Sequence, residues 1–307
     1  MRRLLVIGAD GFIGRAVVQA ALADGVNVVA ADRHTRGAVD WPTRVVDVTD
    51  ELEVMALLRD TKPDAVVLLA AHGIGDQGLA AGAATDPGRA ADINVRGAAL
   101  VTAACGEAAC GTVVLASSTT VYGPASSYSA TRVTEDVPLR ASSVYGATKV
   151  GAEAVVFAVG RRYGLHASAI RLPLVYGPGR WYGGSQEELV NFAHAVAHEN
   201  PTRVSAWTRQ ADWIYADDAA RSICAAAAAN IEGPLNVAGH TSSLYELAGC
   251  IATHATAPAE IEPADTAGPD LPLIDVSRAR GTLGFTARYD TAAAGAHAYI
   301  THLRSTS

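Results

Sequence analysis

The chain has 307 residues, of which 50% are hydrophobic and 18% charged, and its formal net charge is −7. This is a globular composition for one large unit or two coupled lobes and excludes a disordered chain; the acidic balance argues against a nucleic-acid partner, whose affinity comes from Lys and Arg on phosphates. Four scattered cysteines (Cys105, Cys110, Cys224, Cys250) lack metal-site spacing, so neither a metal site nor a disulfide is expected.

The N-terminus runs directly into the strand Leu4–Ile7, with no signal-peptide h-region, so a cytoplasmic protein is expected. No apolar run is long enough to span a bilayer, so no membrane partner is expected. Phe12–Ala23 reads as a helix, Val26–Ala31 and Arg44–Asp47 as strands, Glu51–Arg59 as a helix and Ala65–Ala70 as a strand. An Ala-rich helix follows over Arg89–Ala109, then the strand Thr112–Ser117, the helix Tyr145–Arg162 and the strand His166–Leu172. These strands are continuous apolar runs, as a parallel sheet covered on both faces requires. Beyond Leu172 the pattern loosens. Gly177–Gly184 is a Gly/Pro loop, Gln186–His198, Ala216–Ala229 and Leu244–His254 look helical, Pro234–Val237 looks like a late strand, and Pro258–Pro272 reads as loop. The fold class is α/β, a doubly wound Rossmann-type parallel sheet with a smaller mixed C-terminal substrate lobe. Residues 1–172 form the dinucleotide-binding domain, with 210–240 returning to it, and 173–307 are mostly the substrate lobe.

Gly8-Ala9-Asp10-Gly11-Phe12-Ile13-Gly14 joins the first strand to the first helix. Missing side chains let the backbone turn tightly and approach a pyrophosphate, whose charge meets the helix N-terminus. Asp32 ends the second strand, where an acid accepts from ribose hydroxyls and repels a 2′-phosphate; this favours NAD over NADP, although Arg33 beside it is suited to a 2′-phosphate. Asp47 and Val48 are placed to flank the adenine. Ala70, Ala71 and His72 follow the fourth strand, where small residues admit a cofactor; His72, a lone histidine, is a loop or supporting residue and a candidate substrate contact rather than a catalytic group.

Tyr145 and Lys149 form a Tyr-x-x-x-Lys pair on one helix face. A phenol of ordinary pKa near 10 is a poor base at neutral pH, and a neighbouring ammonium with a nicotinium favours its anion. Bringing it to neutrality takes about 4 kcal/mol of differential stabilisation. Tyr145 then takes a proton from a substrate hydroxyl as hydride leaves the carbon, or returns it to a ketone-derived alkoxide. Ser118, with Thr119 and Thr120, stands at the carboxyl end of the preceding strand, where open α/β sheets bind ligands. Lys149 is one of only two lysines, with Lys62, in a chain that otherwise uses arginine. Arg180, Trp181 and Tyr182 lie in the Gly-rich loop, where aromatic side chains can stack on a sugar or close as a lid.

With these residues the chain resembles the extended short-chain dehydrogenase/reductase family, the NAD-dependent sugar epimerase/dehydratase group. The resemblance spans nearly the whole chain and rests on Gly8/Gly11/Gly14, Asp32, Asn94, Ser117–Gly123, Tyr145/Lys149, Arg171–Gly179 and Asp212–Asp218. It implies Ser118 as the catalytic hydroxyl, Tyr145 as acid/base, Lys149 as its activator and ribose ligand, Asn94 as support for the active-site helix or part of a proton path, and the Leu172-Pro173 backbone against the nicotinamide. It also implies a homodimer through the helices about Arg89–Ala109 and Tyr145–Arg162, and a small-molecule substrate, in many relatives a nucleotide sugar. Three departures bear on the substrate. Thr119-Thr120 replaces the Asp-Glu pair of sugar dehydratases. Leu174 stands where nucleotide-sugar enzymes usually carry Asn, and Ala211 where they carry Arg. Loss of such an arginine removes a charge-assisted pair on a diphosphate, which Arg209, Arg180 or Arg203 would have to replace. The reading is a (nucleotide-)sugar epimerase or ketoreductase; the alternatives are a dehydrogenase of a smaller sugar acid, polyol or biosynthetic ketone, and a non-catalytic NAD-binding sensor.

Overall fold

The computed structural model describes residues 3–34, 39–73, 77–180 and 184–306. In chain order the first half runs β1 (Arg3–Ile7), α1 (Phe12–Ala23), β2 (Asn27–Asp32), β3 (Thr43–Val45), α2 (Glu51–Thr61), β4 (Ala65–Leu68), α3 (Gly78–Thr85), α4 (Pro87–Ala91), α5 (Gly97–Glu107), β5 (Thr112–Ser118), β6 (Arg132–Val133), α6 (Val144–Tyr163) and β7 (His166–Leu172). The rest runs β8 (Leu174–Tyr176), α7 (Glu187–Ala197), β9 (Thr202–Ala206), β10 (Ala211–Tyr215), α8 (Ala216–Ala228), β11 (Gly233–Asn236), β12 (His240–Ser242), α9 (Leu244–Ala252), β13 (Ala259–Pro263), β14 (Leu273–Ile274), α10 (Ser277–Leu283) and α11 (Ala292–Ser305).

Seven parallel strands in the order β11-β7-β5-β4-β1-β2-β3 form the central sheet. Leu4, Leu5 and Val6 of β1 are wholly buried although alternate residues face opposite sides, so both faces are covered. One face packs under α1 and α8, the other under α2, α5 and α6. Chain order reverses direction at β1, whose neighbours are β2 and β4, and this opens a crevice at the carboxyl ends of the strands. Pro234 is tolerated because β11 is an edge strand. The doubly wound parallel sheet expected from the apolar runs is present. Among the described residues no helix is long and apolar enough to cross a membrane.

A second core is aromatic. Tyr176, Phe192, Trp207, Trp213, Tyr215 and Tyr299 pack with Leu189, Leu247 and Ile251 around the small sheet β12-β10-β8. Trp213 stacks on Trp207 with ring centroids 5.7 Å apart and meets Tyr176 edge-on at 5.8 Å.

Two expectations need correction. Arg89–Ala109 is not one α-helix: α4 leads into a π-helical turn, Asp92–Arg96, before α5 begins. The wider turn holds Asn94, whose amide bonds to two other segments, and an Ala-rich composition carries no trace of such long-range bonds. Pro258–Pro272 is not all loop, because Ala259–Pro263 pairs in parallel with β9 as β13. That strand belongs to an exposed two-stranded ribbon, so no buried apolar run marks it.

Candidate active site

The turn between β1 and α1 is built so that only glycine fits. A Cβ on Gly8 would stand 2.7 Å from the Ala70 nitrogen, and one on Gly14 2.0 Å from the Gly8 carbonyl oxygen. Gly8 also has φ +89°, in the left-handed region. Gly11 caps α1 without a side-chain acceptor, and the first turn, with Phe12, Ile13 and Gly14, holds no acid. The helix N-terminus is therefore left to an external anion, which fits a dinucleotide pyrophosphate. Asp32, at the end of β2, accepts from the Asp10 amide at 3.0 Å, so the strand-end acid braces the glycine turn. Arg33 is exposed and its Nε donates to His34 Nε2 at 3.0 Å.

Further along the crevice, Ala70 and Ala71 are half-buried and Leu172 is buried. Asp47 accepts from both the backbone and the hydroxyl of Thr49, at 2.9 and 2.7 Å, and pairs with Arg89 at 3.2 Å. Burial alone would raise its pKa, but these partners outweigh it and the net shift is downward. Val48 is buried beneath α5, where a Cβ on Gly97 would meet its Cγ2 at 2.8 Å.

Ser118, Tyr145 and Lys149 converge where β5 ends and α6 begins. Ser118 caps a 3₁₀ turn, Thr119–Tyr122, accepting from the Thr120 amide at 3.2 Å and hydroxyl at 3.0 Å. Its oxygen accepts in both bonds, which leaves its own proton to donate. The first turn of α6 sits directly on this segment, since a Cβ on Gly146 would approach the Thr120 carbonyl oxygen to 2.6 Å. Ser143 caps α6 by accepting from the Gly146 amide at 3.1 Å. Tyr145 is half-buried, and the Lys149 ammonium lies 5.7 Å from its ring centroid. That ammonium donates to the Ala116 carbonyl at 2.8 Å. Burial pushes the Lys149 pKa down from 10.5 to about 8, with Glu153 pulling the other way.

Asn94 ties the site together. Its Oδ1 accepts from the His72 amide and its Nδ2 donates to Thr148 Oγ1, both at 2.9 Å; Thr148 in turn donates to the Tyr145 carbonyl at 2.8 Å. His72 is buried, and its Nε2 has no hydrogen-bond partner among the described residues.

Sequence reasoning missed the polar network below this constellation. Glu153 and Arg171 form a bidentate pair, Arg171 Nε to Oε1 at 3.0 Å and Nη2 to Oε2 at 2.7 Å, with both side chains 3% exposed. Ser117 donates to the same carboxylate, and Arg171 reaches the Tyr122 hydroxyl, which donates to Asn236. A signal existed: Glu153 is the only carboxylate in α6 and lies four residues beyond Lys149.

On the substrate side, Thr119 is buried and Thr120 half-buried. Arg180 is half-buried above the Phe12 ring, 5.9 Å from its centroid, and donates to the Val175 carbonyl at 3.1 Å and Gln186 Oε1 at 2.9 Å. Arg209 and Arg203 are instead engaged on the surface, with Asp270 and with Glu260 and Glu262. Trp181 and Tyr182 lie outside the described residues.

A glycine cradle at a helix N-terminus after β1, with a Tyr/Lys pair at the end of β5 on the same carboxyl edge of a doubly wound sheet, fits a dinucleotide-dependent oxidoreductase-type site. The model of the NAD dependent epimerase/dehydratase family matches residues 4–238. A UDP-glucose 4-epimerase from Mycolicibacterium smegmatis is 30% identical over 230 residues, 70% of each chain. A dTDP-glucose 4,6-dehydratase from Mycobacterium tuberculosis is 31% identical over 229 residues, 70% of this chain and 66% of the relative. Another UDP-glucose 4-epimerase, from Lactobacillus helveticus, is matched over only 50% of its own length. In three dimensions a UDP-glucose 4-epimerase from Thermus thermophilus, solved in complex with NAD, superposes with a TM-score of 0.84 at 25% identity, covering 99% of this chain and all of the other. The chain belongs to the NAD-dependent epimerase/dehydratase family, within the extended short-chain dehydrogenase/reductase group. The resemblance read from its motifs is correct, and its cofactor is NAD.

Proposed function

We propose that this protein is an NAD-dependent epimerase or ketoreductase acting at a hydroxyl-bearing carbon of a sugar, with nucleotide sugars the first candidates. The observation that carries the reading is that Ser118, Tyr145 and Lys149 gather where β5 ends and α6 begins, on the same sheet edge as the glycine cradle. NAD, when bound, would supply the hydride acceptor and donor. Gly8, Gly11 and Gly14 would admit its pyrophosphate to the start of α1, and Asp32 would take the ribose hydroxyls. Ser118 donates to the substrate oxygen and Tyr145 removes or restores its proton. Lys149 favours the tyrosinate by its charge. Asn94, through Thr148, holds the Tyr145 carbonyl and so the first turn of α6. Thr119 and Thr120 offer no carboxyl pair to eliminate water, so dehydration is not the expected chemistry.

A smaller non-nucleotide substrate is the second reading. It is favoured by Leu174 and Ala211, and by the surface ion pairs that occupy Arg203 and Arg209. Residues 173–307 supply most of the substrate lobe. A cytoplasmic homodimer is expected, formed along α4, α5 and α6, where Arg89, Val95, Ala99 and Val155 line an open groove of about 760 Å³.

Incubation of the NAD-loaded protein with UDP-glucose is the direct test. An epimerase yields the C4 epimer without net NADH; a dehydrogenase accumulates NADH. A thermal-shift comparison of UDP- and dTDP-sugars with free sugars and sugar acids separates the two substrate readings. No hydride transfer with any of them would favour the non-catalytic sensor.

A further inference from the structure

We propose that Glu153 is a positioning residue of this active site: its carboxylate, one helical turn beyond Lys149, keeps that ammonium protonated and, through Ser117, fixes the strand end that presents Ser118. The inference rests on the reading of Tyr145 and Lys149 as the acid/base pair.

The geometry supports it in three ways. Tyr145, Lys149 and Glu153 are spaced by four residues in α6, so they share one face of the helix. Second, Glu153 accepts from Ser117 Oγ at 2.5 Å, immediately before Ser118, while Lys149 donates to the carbonyl of Ala116, one residue earlier. One helix face therefore grips the two residues of β5 that lead into Ser118. Third, β5 and β7 pair in register, Ser117 opposite Arg171, which brings the guanidinium onto Glu153 from the neighbouring strand and fixes the carboxylate by two hydrogen bonds in a dry interior.

A buried ion pair is weak evidence for stability, because desolvation offsets much of its attraction. Its position argues for an electrostatic task. α6 itself carries Tyr145 and Glu153; of the elements packed against it, β7 carries Arg171 and the turn after β5 carries Tyr122, while the His72 amide is tied through Asn94 to Thr148. The π turn packed against α6 carries Asp92 and Arg96, and Asp92 pairs with both Arg96 and Arg89 nearer the surface. β5 contributes no ionisable group. Glu153 is thus the carboxylate that opposes the cost of burying Lys149.

The chain allows a test that needs no substrate, because its only lysines are Lys62 and Lys149. Protein labelled with carbon-13 at the lysine ε position gives two resonances, and exposed Lys62 serves as the internal reference. Lys149 should titrate well below Lys62 in the wild type. Glu153→Gln should lower the Lys149 midpoint by about one pH unit or more, a tenfold loss of proton affinity. Glu153→Asp should restore most of it. Glu153→Gln leaves Arg171 buried without its counter-ion and is liable to unfold, so the combined Glu153→Gln/Arg171→Met protein provides a neutral replacement; its Lys149 midpoint should also fall, by less. If either folded variant titrates Lys149 where the wild type does, the proposal is wrong. Failure of wild-type turnover would instead sink the functional reading and leave this titration standing.

Discussion

The central sheet and the aromatic C-terminal lobe are stabilised in different ways. The sheet buries Val, Leu, Ile and Ala on both faces, and its strands are joined by parallel backbone ladders. The lobe is held by rings with specific geometry and polar handles: Trp213 Nε1 donates to the Ser242 carbonyl at 2.9 Å, and Tyr176 shares a 3.1 Å hydrogen bond with His240. Burial of aliphatic area is non-directional and tolerates repacking, whereas ring edges and buried imidazoles depend on exact partners and on protonation. The candidate active site lies along the edge of the tolerant region, yet it holds the buried side chains Lys149, Glu153 and Arg171.

The largest effect expected from any single change belongs to the site. Tyr145→Phe should cost about a thousandfold in turnover while leaving NAD affinity unchanged, measured by steady-state rates and cofactor titration. Retained turnover would remove Tyr145 from the acid/base role. Next comes Trp213→Ala, which should destabilise the protein by about 4 kcal/mol in urea unfolding. A separate early transition would sharpen the contrast, because the lobe would then melt ahead of the sheet; a loss under about 1 kcal/mol would break it.

Acid should also find the lobe first. Burial pushes the His240 pKa down from 6.5 to about 4. The unfolded chain therefore binds the extra proton between those values, and stability present above about pH 6.5 is lost as pH falls toward 4. The shift corresponds to about 3 kcal/mol. Unfolding curves at neutral and acid pH should show this loss, and His240→Gln should reduce it; an equal loss in that variant would acquit His240.

The smallest effect has the opposite sign. Lys149→Met removes a buried ammonium whose displacement from 10.5 to about 8 represents about 3 kcal/mol, against about 1 kcal/mol for the lost bond to Ala116. The inactive variant should therefore be more stable than the wild type near neutral pH by about 2 kcal/mol. The wild type should gain part of that stability as pH rises from 8 toward 10.5, since the unfolded lysine holds its proton longer. A less stable Lys149→Met protein would mean that the ammonium contributes more to packing than it costs in burial.

Much of this was readable in advance. The strands of the sheet, the glycine cradle and the Tyr145/Lys149 face were legible because each is a local pattern: an apolar run, a spacing of small residues, a step of four along a helix. The π turn at Asn94 was not, since it depends on bonds to His72 and Thr148 that no neighbouring residue announces. The aromatic lobe leaves only a loose mixed pattern in the sequence, because β8, β10 and β12 are short and pair across distant segments. Arg209 and Arg203 were candidates for an anion until their surface partners Asp270, Glu260 and Glu262 appeared.

Order along the chain thus decided the class of this protein: periodicity chose a parallel sheet, and glycines at the first turn chose a dinucleotide. Only folding decided what surrounds Lys149. Its carboxylate neighbour Glu153 is local, but Arg171, Ala116 and Ser117 arrive through strand pairing. Backbone geometry propagates over a few residues, whereas the charge, dryness and hydrogen bonding that tune a proton are set by whatever segments the sheet brings within a few ångströms.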